Sequence, residues 1–593
     1  MPTAREKLAQ LRENMRKHHL DFYFVPARDA HNNEYVPDCW QRRRWMTGFD
    51  GSAGDALIGQ DQAYLWTDSR YFLQAEQQLD PALFQLMKQA QGTPPLDQWF
   101  LTHAQHKTCG IDPRLVSIAQ AKQWQKALES VNGQLKPLAV NLIDAIWNDQ
   151  PPSPRQPIRQ YPLKYAGVST KEKLEKLRSA MSEKNVGAHL LCLLDAIAWL
   201  FNIRGNDIQF NPLAISYALI TPDAAILFID LNKVSEAEQL YLRSQGVSLQ
   251  AYDDFENALH TLKGLVWVDP ESTSWWVEQQ LGQAQLCLET SPVALMKALK
   301  NPTEAAGMHE AHRRDALAMV KFLHWLENTW PSGVTEMSAG EELEKFRRQD
   351  PDCLDLSFTT ISGFAANGAI VHYHSTPATN RHIDDSNLYL IDSGGQYWYG
   401  TTDITRTIHL GSPTPEQQLH YTLVLKGHLA LRLMLFPAGT RGEHLDAIAR
   451  HPLWQAGLNY GHGTGHGVGC YLCVHEGPQR ISPGVTKTPL QPSMVVSNEP
   501  GIYFPEQYGI RIENLCLIVE AIAHIEPGPS NGPFYTYEDL TKVPYARNLI
   551  DKTLLSPQEI QSIDDYHREI YDLLIDDLND DQRTWLALAT SPL

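Results

Sequence analysis

The sequence predicts a three-domain protein in which two related α/β domains precede a larger α+β domain. A chain of 593 residues is too long for one hydrophobic core, because single cores stop growing near roughly 250–300 residues. A proline-rich break at residues 150–157 marks one domain boundary, since short proline-rich runs stiffen linkers. Short strings before that break recur after it at a constant offset, which indicates a duplicated unit.

The repeated strings define the two N-terminal domains, which we place at residues 1–150 and 160–299. Each copy reads as an opening helix, an apolar strand, a turn, a second strand and a helix. One offset shared by three separate matches favours two related domains over chance similarity. The matching pairs are Ala56–Ile58 with Ala218–Ile220, Asp68 with Asp230, and Ala75–Gln77 with Ala237–Gln239.

The third domain, residues 300–593, begins with a helix and continues mainly with strands. Asn301 suits a helix N-cap, and Pro302 suits the first helical position. A helical period of apolar residues follows at Ala316, Met319, Phe322, Leu323 and Leu326. Downstream runs indicate a largely antiparallel sheet, and these are Leu388–Ile391, Trp398–Leu410, Met494–Val496 and Ile510–Val519.

Composition and charge exclude several classes of function. Hydrophobic residues at 43% and charged residues at 20% are typical of a soluble globular protein. A net charge of −19 offers no broad basic face, so nucleic acid is not an expected partner. No apolar run reaches bilayer-spanning length, so no membrane contact is expected. Eight scattered cysteines indicate reduced thiols in a cytoplasmic protein, and we interpret the isolated pair Cys470 and Cys473 as core thiols.

Two aspartates and a histidine of the third domain are typical metal ligands. Asp392 ends one strand-like run, glycines follow, and Asp403 lies on the next run. If residues 392 and 403 pair across this hairpin, their carboxylates converge at cross-strand distance, about 5 Å. His466 lies among alternating glycines in the segment 461–467, where the backbone can pass close to an ion.

Two glutamates complete this set of candidate ligands. Glu499 precedes Pro-Gly at the end of an apolar strand, and Glu513 shares one face of an alternating run with Arg511. Taken singly, each candidate also has a plain structural interpretation, such as a turn former, a solvated acid or an ion pair with Arg511. Together, four carboxylates balance two divalent cations, whereas without metal they would repel and protonate. An oxygen-rich set with one histidine suits manganese, and cobalt and zinc stay open.

The segments around these residues resemble the pita-bread metallopeptidases, and most closely the aminopeptidase P family of the large, three-domain cytosolic type. The resemblance covers nearly the whole chain. It implies two creatinase-N-like α/β domains followed by a pita-bread α+β catalytic domain. The matching words are GFDGSAG, WTDSRYFLQAEQQ, AWLFNIRGNDIQFNP, IDSGGQYWYGTTDITRT, YGHGTGHGVG, VHEGP, NEPGIY and GIRIEN.

This resemblance implies a metal-dependent Xaa-Pro aminopeptidase, which hydrolyses the bond between an N-terminal residue and a penultimate proline. It implies two divalent metal ions, of which Asp392 holds one while His466 and Glu499 hold the other. Asp403 and Glu513 would bridge the pair. Peptides with proline at position 2 are the implied partners, and the implied assembly is a homodimer.

The resemblance also assigns catalytic and substrate-binding roles to three further histidines. His372 and His462 would orient the peptide, and His475 would help the metals to stabilise the oxyanion. Glu499 would accept and shuttle the proton of the attacking water. The proline nitrogen carries no hydrogen, so a peptidase that needs that donor fails at this bond.

Two other functions stay open at this point. A prolidase would need the free carboxylate of a dipeptide, but prolidases resemble one N-terminal module plus the catalytic domain, whereas this chain has two modules. A non-catalytic binding protein is the second alternative, because pita-bread domains also occur in metal-free relatives. Those relatives lose metal ligands, whereas this chain keeps all five.

Overall fold

The computed structural model describes residues 2–89, 92–521 and 532–593. The chain forms two compact units, one of Met1–Leu163 with Val168–Ala294 and the other of Lys164–Gly167 with Leu295–Leu593. Within the described residues, no helix has both the length and the apolar character that a bilayer-spanning segment needs. Every candidate site residue belongs to the second unit. The domain boundaries near residues 150 and 300 stay predictions.

The first unit contains two six-stranded sheets with the same strand order. From edge to edge, the first sheet consists of Gln85–Lys88, Ala63–Thr67, Asp55–Gly59, Phe22–Val25, Thr108–Ile111 and Gln134–Pro137. The second consists of Val247–Ala251, Ala225–Ile229, Ser216–Ile220, Ala188–Leu191, Leu265–Val268 and Gln285–Leu288. In both, strands two to four pair antiparallel and the outer neighbours pair parallel.

The repeated strings occupy equivalent places in the two sheets. Ala56 and Ala218 lie in the third strand of their sheets, and Asp68 and Asp230 directly follow the second strand. The third matching pair of strings lies in the helix that comes next in each copy. The prediction of two related α/β domains is therefore confirmed.

The helices of the first unit begin at polar caps where the sequence offers them. Thr3 and Ser169 start equivalent helices, each in a capping box with a glutamate three residues later. The helices of this unit are Ala4–Lys17, Arg42–Thr47, Phe72–Gln78, Leu96–His103, Ile118–Ser130, Thr170–Glu183, Leu194–Phe201, Glu236–Ser244, Asp254–Thr261 and Trp275–Gln280. Two further helices, Leu163–Ala166 and Pro292–Ala298, begin in the first unit and end in the second.

The second unit opens with the predicted helix, which spans Pro302–Thr329. The Asn301 side chain accepts from the amides of Thr303 and Glu304, and the Glu304 carboxylate accepts from the Asn301 amide. A cap of this kind stabilises a helix by about 1 kcal/mol. The predicted helical period is buried in the core of the unit. The other helices are Glu336–Arg348, Pro415–Arg432, Gly442–Gln455, Pro557–Leu574 and Asp580–Ala589.

Every described strand pair of the second unit is antiparallel, as the sequence predicts. The six-stranded sheet consists of Phe436–Pro437, Phe534–Asp539, Asn514–Glu520, Val495–Asn498, Gly465–Gly467 and Glu476–Ile481. The smaller sheets consist of Cys353–Leu356, Gly395–Tyr397 and Gly400–Thr401, of Ile361–Phe364, Leu388–Ser393 and Ile404–His409, and of Gly501–Phe504 and Tyr508–Arg511.

Two of the predicted strand runs are interrupted beside candidate site residues. The run Trp398–Leu410 is broken at Asp403, and the run Ile510–Val519 is broken at Glu513. A residue between two strands does not follow the alternation of either sheet, so its side chain can turn into the interior.

Candidate functional site

Asp392 and Asp403 lie at the same end of a strand pair, but they are not directly opposite each other. Leu388–Ser393 pairs with Ile404–His409 so that Asp392 faces Thr405. The condition of direct pairing between the two aspartates is therefore not met, because Asp403 lies two residues before the partner of Asp392. The cause is that residues between them form two short strands of a different sheet, which shifts the return of the chain. Both aspartates are buried.

Thr405 connects this strand pair to Glu513. The Thr405 hydroxyl donates to Oε2 of Glu513 over 2.8 Å, and the Glu513 amide donates to the Thr405 carbonyl over 3.1 Å. Glu513 is 1% exposed. The remaining oxygen of Glu513 (Oε1) and Oδ1 of Asp392 are buried without a hydrogen-bond partner among the described residues. Orphaned buried oxygens of this kind are costly, because nothing compensates their lost hydration.

His466 and Glu499 come from neighbouring strands of the six-stranded sheet. Glu499 directly follows the strand Val495–Asn498, as the sequence predicts, and its Oε1 accepts from the Ser497 hydroxyl. Nδ1 of His466 lies 2.9 Å from the carbonyl oxygen of the next residue, so this nitrogen carries a proton. Nε2 of His466 faces two carboxylates, with Oδ2 of Asp403 and Oε1 of Glu499 each 3.5 Å away.

Asp403, His466 and Glu513 form a compact cluster of ionisable side chains. One ligand atom each from Asp403, His466 and Glu513 lies within 4.8 Å of the other two. Burial raises the pKa of Asp403 to about 6, and the charges of Asp392 and Glu499 add to the rise. Burial also raises the pKa of Glu513 well above its usual range. Burial alone would lower the pKa of His466, but the bonded Asp403 and the charged Glu499 outweigh it and raise that pKa to about 9.

The donor set fits divalent cations. It combines carboxylate oxygens with one imidazole nitrogen, which is the mixture that manganese and related first-row metals accept. One orphaned oxygen, Oε1, belongs to Glu513 of this cluster, and the other, Oδ1, belongs to Asp392, whose charge acts on Asp403 and Glu513. A metal-bound histidine typically donates its other ring nitrogen to a carbonyl, and His466 makes that bond. A cation among these groups would offset the burial and the mutual repulsion that raise the pKa values of Asp403 and Glu513.

Arg511 forms an ion pair with Asp392, whereas the plain structural interpretation of the sequence pairs it with Glu513. Its side chain is 1% exposed and bonds Asp392, and it is not paired directly with Glu513. Nη2 donates to Oδ2 of Asp392 over 2.6 Å, Nη1 to the Tyr503 hydroxyl over 2.7 Å, and Nε to the Thr405 hydroxyl over 3.0 Å. The side chains of Arg511 and Glu513 nevertheless point to the same side of the chain, as the sequence predicts, because both bond the Thr405 hydroxyl.

His462 lies at the end of a hydrogen-bonded chain that begins at Arg511. The Tyr503 hydroxyl accepts from Arg511 and lies 2.8 Å from Nε2 of His462. Nδ1 of His462 lies 2.7 Å from the carbonyl oxygen of Gly463. A consistent proton arrangement has Tyr503 donating to Nε2 and Nδ1 donating to the carbonyl. This chain orients His462 relative to Asp392, and nothing in the sequence indicates Tyr503 as its member.

His372 lies in a loop that is linked to Asp392 through the preceding residue, Val371, and Arg511. The carbonyl of Val371 accepts from Nη2 of Arg511 over 3.4 Å, and the same nitrogen bonds Asp392. On the other side, the Tyr373 side chain is buried and bonds the carboxylate of Glu336. His372 itself is half-buried. The backbone on both sides of His372 is therefore tied to fixed groups.

His475 packs against the histidine of the cluster. The rings of His475 and His466 lie 4.4 Å apart at 89°, an edge-to-face contact. The following residue, Glu476, is buried and pairs with Lys297 at 2.5 Å and Lys300 at 2.5 Å. These two ion pairs fix the backbone directly beside His475. All eight residues singled out from the sequence thus lie in the second unit. Asp403, His466 and Glu513 form the cluster, Glu499 and His475 contact His466, and the charge of Asp392 acts on Asp403 and Glu513.

Comparison with known proteins places this arrangement in a family. Residues 306–520 match the model of metallopeptidase family M24, and residues 533–593 match the C-terminal region of that family. Residues 7–145 and 149–304 each match the creatinase/prolidase N-terminal domain. A probable Xaa-Pro aminopeptidase P from Sordaria macrospora is 41% identical over 99% of both chains. The chain belongs to the Xaa-Pro aminopeptidase P family of M24 metallopeptidases.

Other members of the family agree in length and fold. Aminopeptidase P1 from Lotus japonicus is 38% identical over 99% of both chains. The crystal structure of X-prolyl aminopeptidase from Caenorhabditis elegans, a cytosolic enzyme with a di-nuclear active site, superposes with a TM-score of 0.96. That protein is 35% identical, and the alignment covers 100% of both chains. Two creatinase-N-like domains followed by a pita-bread domain are therefore confirmed as the architecture, and the protein is a hydrolase of the metallopeptidase class.

The contacts of Arg511 generate a prediction about metal affinity. In Arg511→Lys, one ammonium replaces three differently directed N–H groups, so Asp392 loses its fixed orientation. We expect affinity for Mn²⁺ to fall about 10- to 100-fold, which is typical when a residue that hydrogen-bonds a metal ligand is removed. Isothermal titration calorimetry of metal-stripped protein measures this change.

Arg347→Lys is the matched control for this experiment. Arg347 is also fully buried and bonds Asp315 through two nitrogens, but it is not a partner of any residue in the cluster. This variant should lose stability and keep its affinity for Mn²⁺. Equal metal affinity in Arg511→Lys and in the unmodified protein would contradict the role given to Arg511.

Proposed function

We propose that the protein is a dinuclear-metal Xaa-Pro aminopeptidase, which hydrolyses the bond between an N-terminal residue and a penultimate proline. The observation that carries the proposal is the convergence of Asp403, His466 and Glu513 within 4.8 Å. This convergence occurs in a chain that is 41% identical to a probable Xaa-Pro aminopeptidase P over 99% of its length. The fold alone would not be enough, because one fold supports many functions.

Five side chains would hold the two cations. Asp392 would bind one, His466 and Glu499 the other, while Asp403 and Glu513 would be shared. Two divalent cations supply Lewis acidity toward the scissile carbonyl and lower the pKa of the attacking water. Oxygen donors with a single imidazole favour manganese over zinc, and cobalt and zinc stay as alternatives for the test.

Glu499 is the residue that we assign to proton transfer. Its side chain is 18% exposed, whereas those of Asp403 and Asp392 are 6% and 10% exposed. The more accessible acid can exchange a proton with solvent and with the leaving amine. The Ser497 hydroxyl donates to Oε1 of Glu499 over 3.1 Å and leaves Oε2 for the proton.

The three histidines would handle the peptide. His475, whose ring packs edge-to-face with that of His466, would donate to the oxyanion that forms at the carbonyl before proline. His372 and His462 would orient the substrate, since Arg511 holds the segment or side chain of each relative to Asp392. A proline nitrogen offers no hydrogen, so these contacts with the rest of the peptide supply the alignment.

We also propose that the protein is a cytoplasmic homodimer. Its partners would be peptides, and neither nucleic acid nor membrane would be bound. The cytosolic enzyme from Caenorhabditis elegans, which covers the whole chain, supports this location. Light scattering of the purified protein should give twice the chain mass of 67.0 kDa. Cell fractionation should recover the activity in the soluble cytoplasmic fraction. A monomeric mass, or activity that pellets with membranes, would contradict this part of the proposal.

Removal of one cluster residue should abolish both metal binding and hydrolysis. Asp403→Ala removes the carboxylate that both ions would share, and His466→Ala removes the imidazole that would bind one of them. We therefore expect metal content to fall from about two ions per chain and activity to fall to background. Elemental analysis and peptide assays measure these changes, and circular dichroism checks the fold. The same analysis of the unmodified protein reports which metal is bound.

Asp315→Ala is the control, because Asp315 is a buried carboxylate of the same unit that pairs with Arg347 outside the cluster. It should lose stability and keep its metal. Full activity in metal-stripped Asp403→Ala protein would contradict the proposed catalysis. Purified, folded protein that binds no divalent metal would favour the non-catalytic alternative.

A peptide panel separates the aminopeptidase from a prolidase. Chain lengths of Xaa-Pro, Xaa-Pro-Xaa and Xaa-Pro-Xaa-Xaa are compared by kcat/KM, with Xaa-Ala-Xaa-Xaa as the control. We expect the longer proline peptides to be cleaved at least as well as the dipeptide and the alanine peptide to be cleaved poorly. Cleavage of the dipeptide alone would favour a prolidase.

A further inference from the structure

Glu336 is a buried carboxylate that the proposed mechanism does not use. It is the first residue of the helix Glu336–Arg348 and is 0% exposed. Its two oxygens accept from four donor groups, which are the amide of Phe364 at 2.7 Å, Nδ2 of Asn367 at 3.0 Å, the hydroxyl of Tyr373 at 2.9 Å and the amide of Arg381 at 2.9 Å.

The helix does not need this carboxylate for its own cap. Thr335 already caps the helix in a reciprocal arrangement with Ser338. Among the ion pairs of the described residues, none includes Glu336. Its negative charge is therefore held by hydrogen-bond donors and by the N-terminus of the helix. Burial raises the pKa of Glu336, and the four donors oppose that rise.

The four donors all belong to the loop that carries His372 or to its two ends. Phe364 ends the strand Ile361–Phe364 before the loop, and Arg381 lies where the chain leaves it. Tyr373 directly follows His372, so one bond of the carboxylate ends beside the histidine. One buried group thus closes the loop at both ends and fixes its middle.

We infer that Glu336 is a positioning residue for His372, which it places by clamping both ends of the loop and the adjacent Tyr373. This inference rests on the proposed function, because it takes His372 as a substrate-orienting residue. From the opposite side, the carbonyl of Val371 accepts from Arg511. Glu336 and Arg511 therefore hold His372 between them and relate it to Asp392.

A double-mutant cycle tests the inference. In Glu336→Gln, the amide nitrogen of glutamine faces N–H donors, so at least one of them is left without an acceptor. We expect kcat/KM for an Xaa-Pro tetrapeptide to fall about 10-fold or more, since small misplacements of orienting groups are costly. In a His372→Ala background the same substitution should cost less than about two-fold, because its target is already gone.

Stability and metal content distinguish positioning from general damage. Glu336→Gln should lower the melting temperature equally in both backgrounds and leave metal content unchanged. Glu559→Gln is the matched control, since Glu559 lies in the first turn of Pro557–Leu574 and bonds Ser556 and Lys426. It should lower stability and leave kcat/KM unchanged. Tyr373→Phe, which removes one donor only, repeats the cycle if Glu336→Gln does not fold.

Two results would overturn the inference in distinguishable ways. Multiplicative losses in the double variant would show that Glu336 acts independently of His372, and would leave the proposed function intact. A His372→Ala variant with unchanged kcat/KM would remove the role of His372 itself, and with it both the inference and that part of the proposed function.

Discussion

Four carboxylic acids and one imidazole share a single buried site, and much of the second unit is arranged to hold them there. Like charges within a few ångströms repel strongly in a low-dielectric interior. Arg511 forms its ion pair with Asp392, while Glu513 receives one hydroxyl bond and keeps one orphaned oxygen. The protein thus supplies less positive charge than the acids require. That deficit is the strongest physical reason to place divalent cations among them.

The site is fixed from behind by backbone bonds. Arg406 is fully buried and donates to the carbonyls of Thr405 at 2.9 Å, Glu513 at 2.6 Å and Val543 at 2.7 Å. One guanidinium therefore joins the ends of segments that are distant in sequence. Because Asp403, Glu499 and Glu513 lie just outside strands, their backbones lack full ladder bonding, and a partner that bonds nearby carbonyls compensates. Arg406 provides it through backbone carbonyls, with no hydrogen bond to the side chains of Asp403, His466 or Glu513.

The sequence predicted the kinds of residue at the site better than their pairing. Asp392, Asp403 and Glu499 are candidate ligands only as members of an ordered set with His466 and Glu513, because each acid alone also has a plain structural interpretation. The opposition of Asp392 to Thr405 was not predictable, since register depends on two short strands that belong to another sheet. The duplicated sheets were predictable because a repeat keeps both pattern and order.

Residues that position a site are hard to predict from the sequence for a physical reason. A metal ligand is recognised by its own chemistry, whereas a positioning group is defined by the distant backbone it bonds. Glu336 looks like an ordinary first-turn glutamate, and only the fold brings the loop of His372 around it. Glu476 similarly looks like a surface acid until Lys297 and Lys300 enclose it beside His475. Buried charges that bond to loops are therefore where a structure adds most to what the motifs indicate.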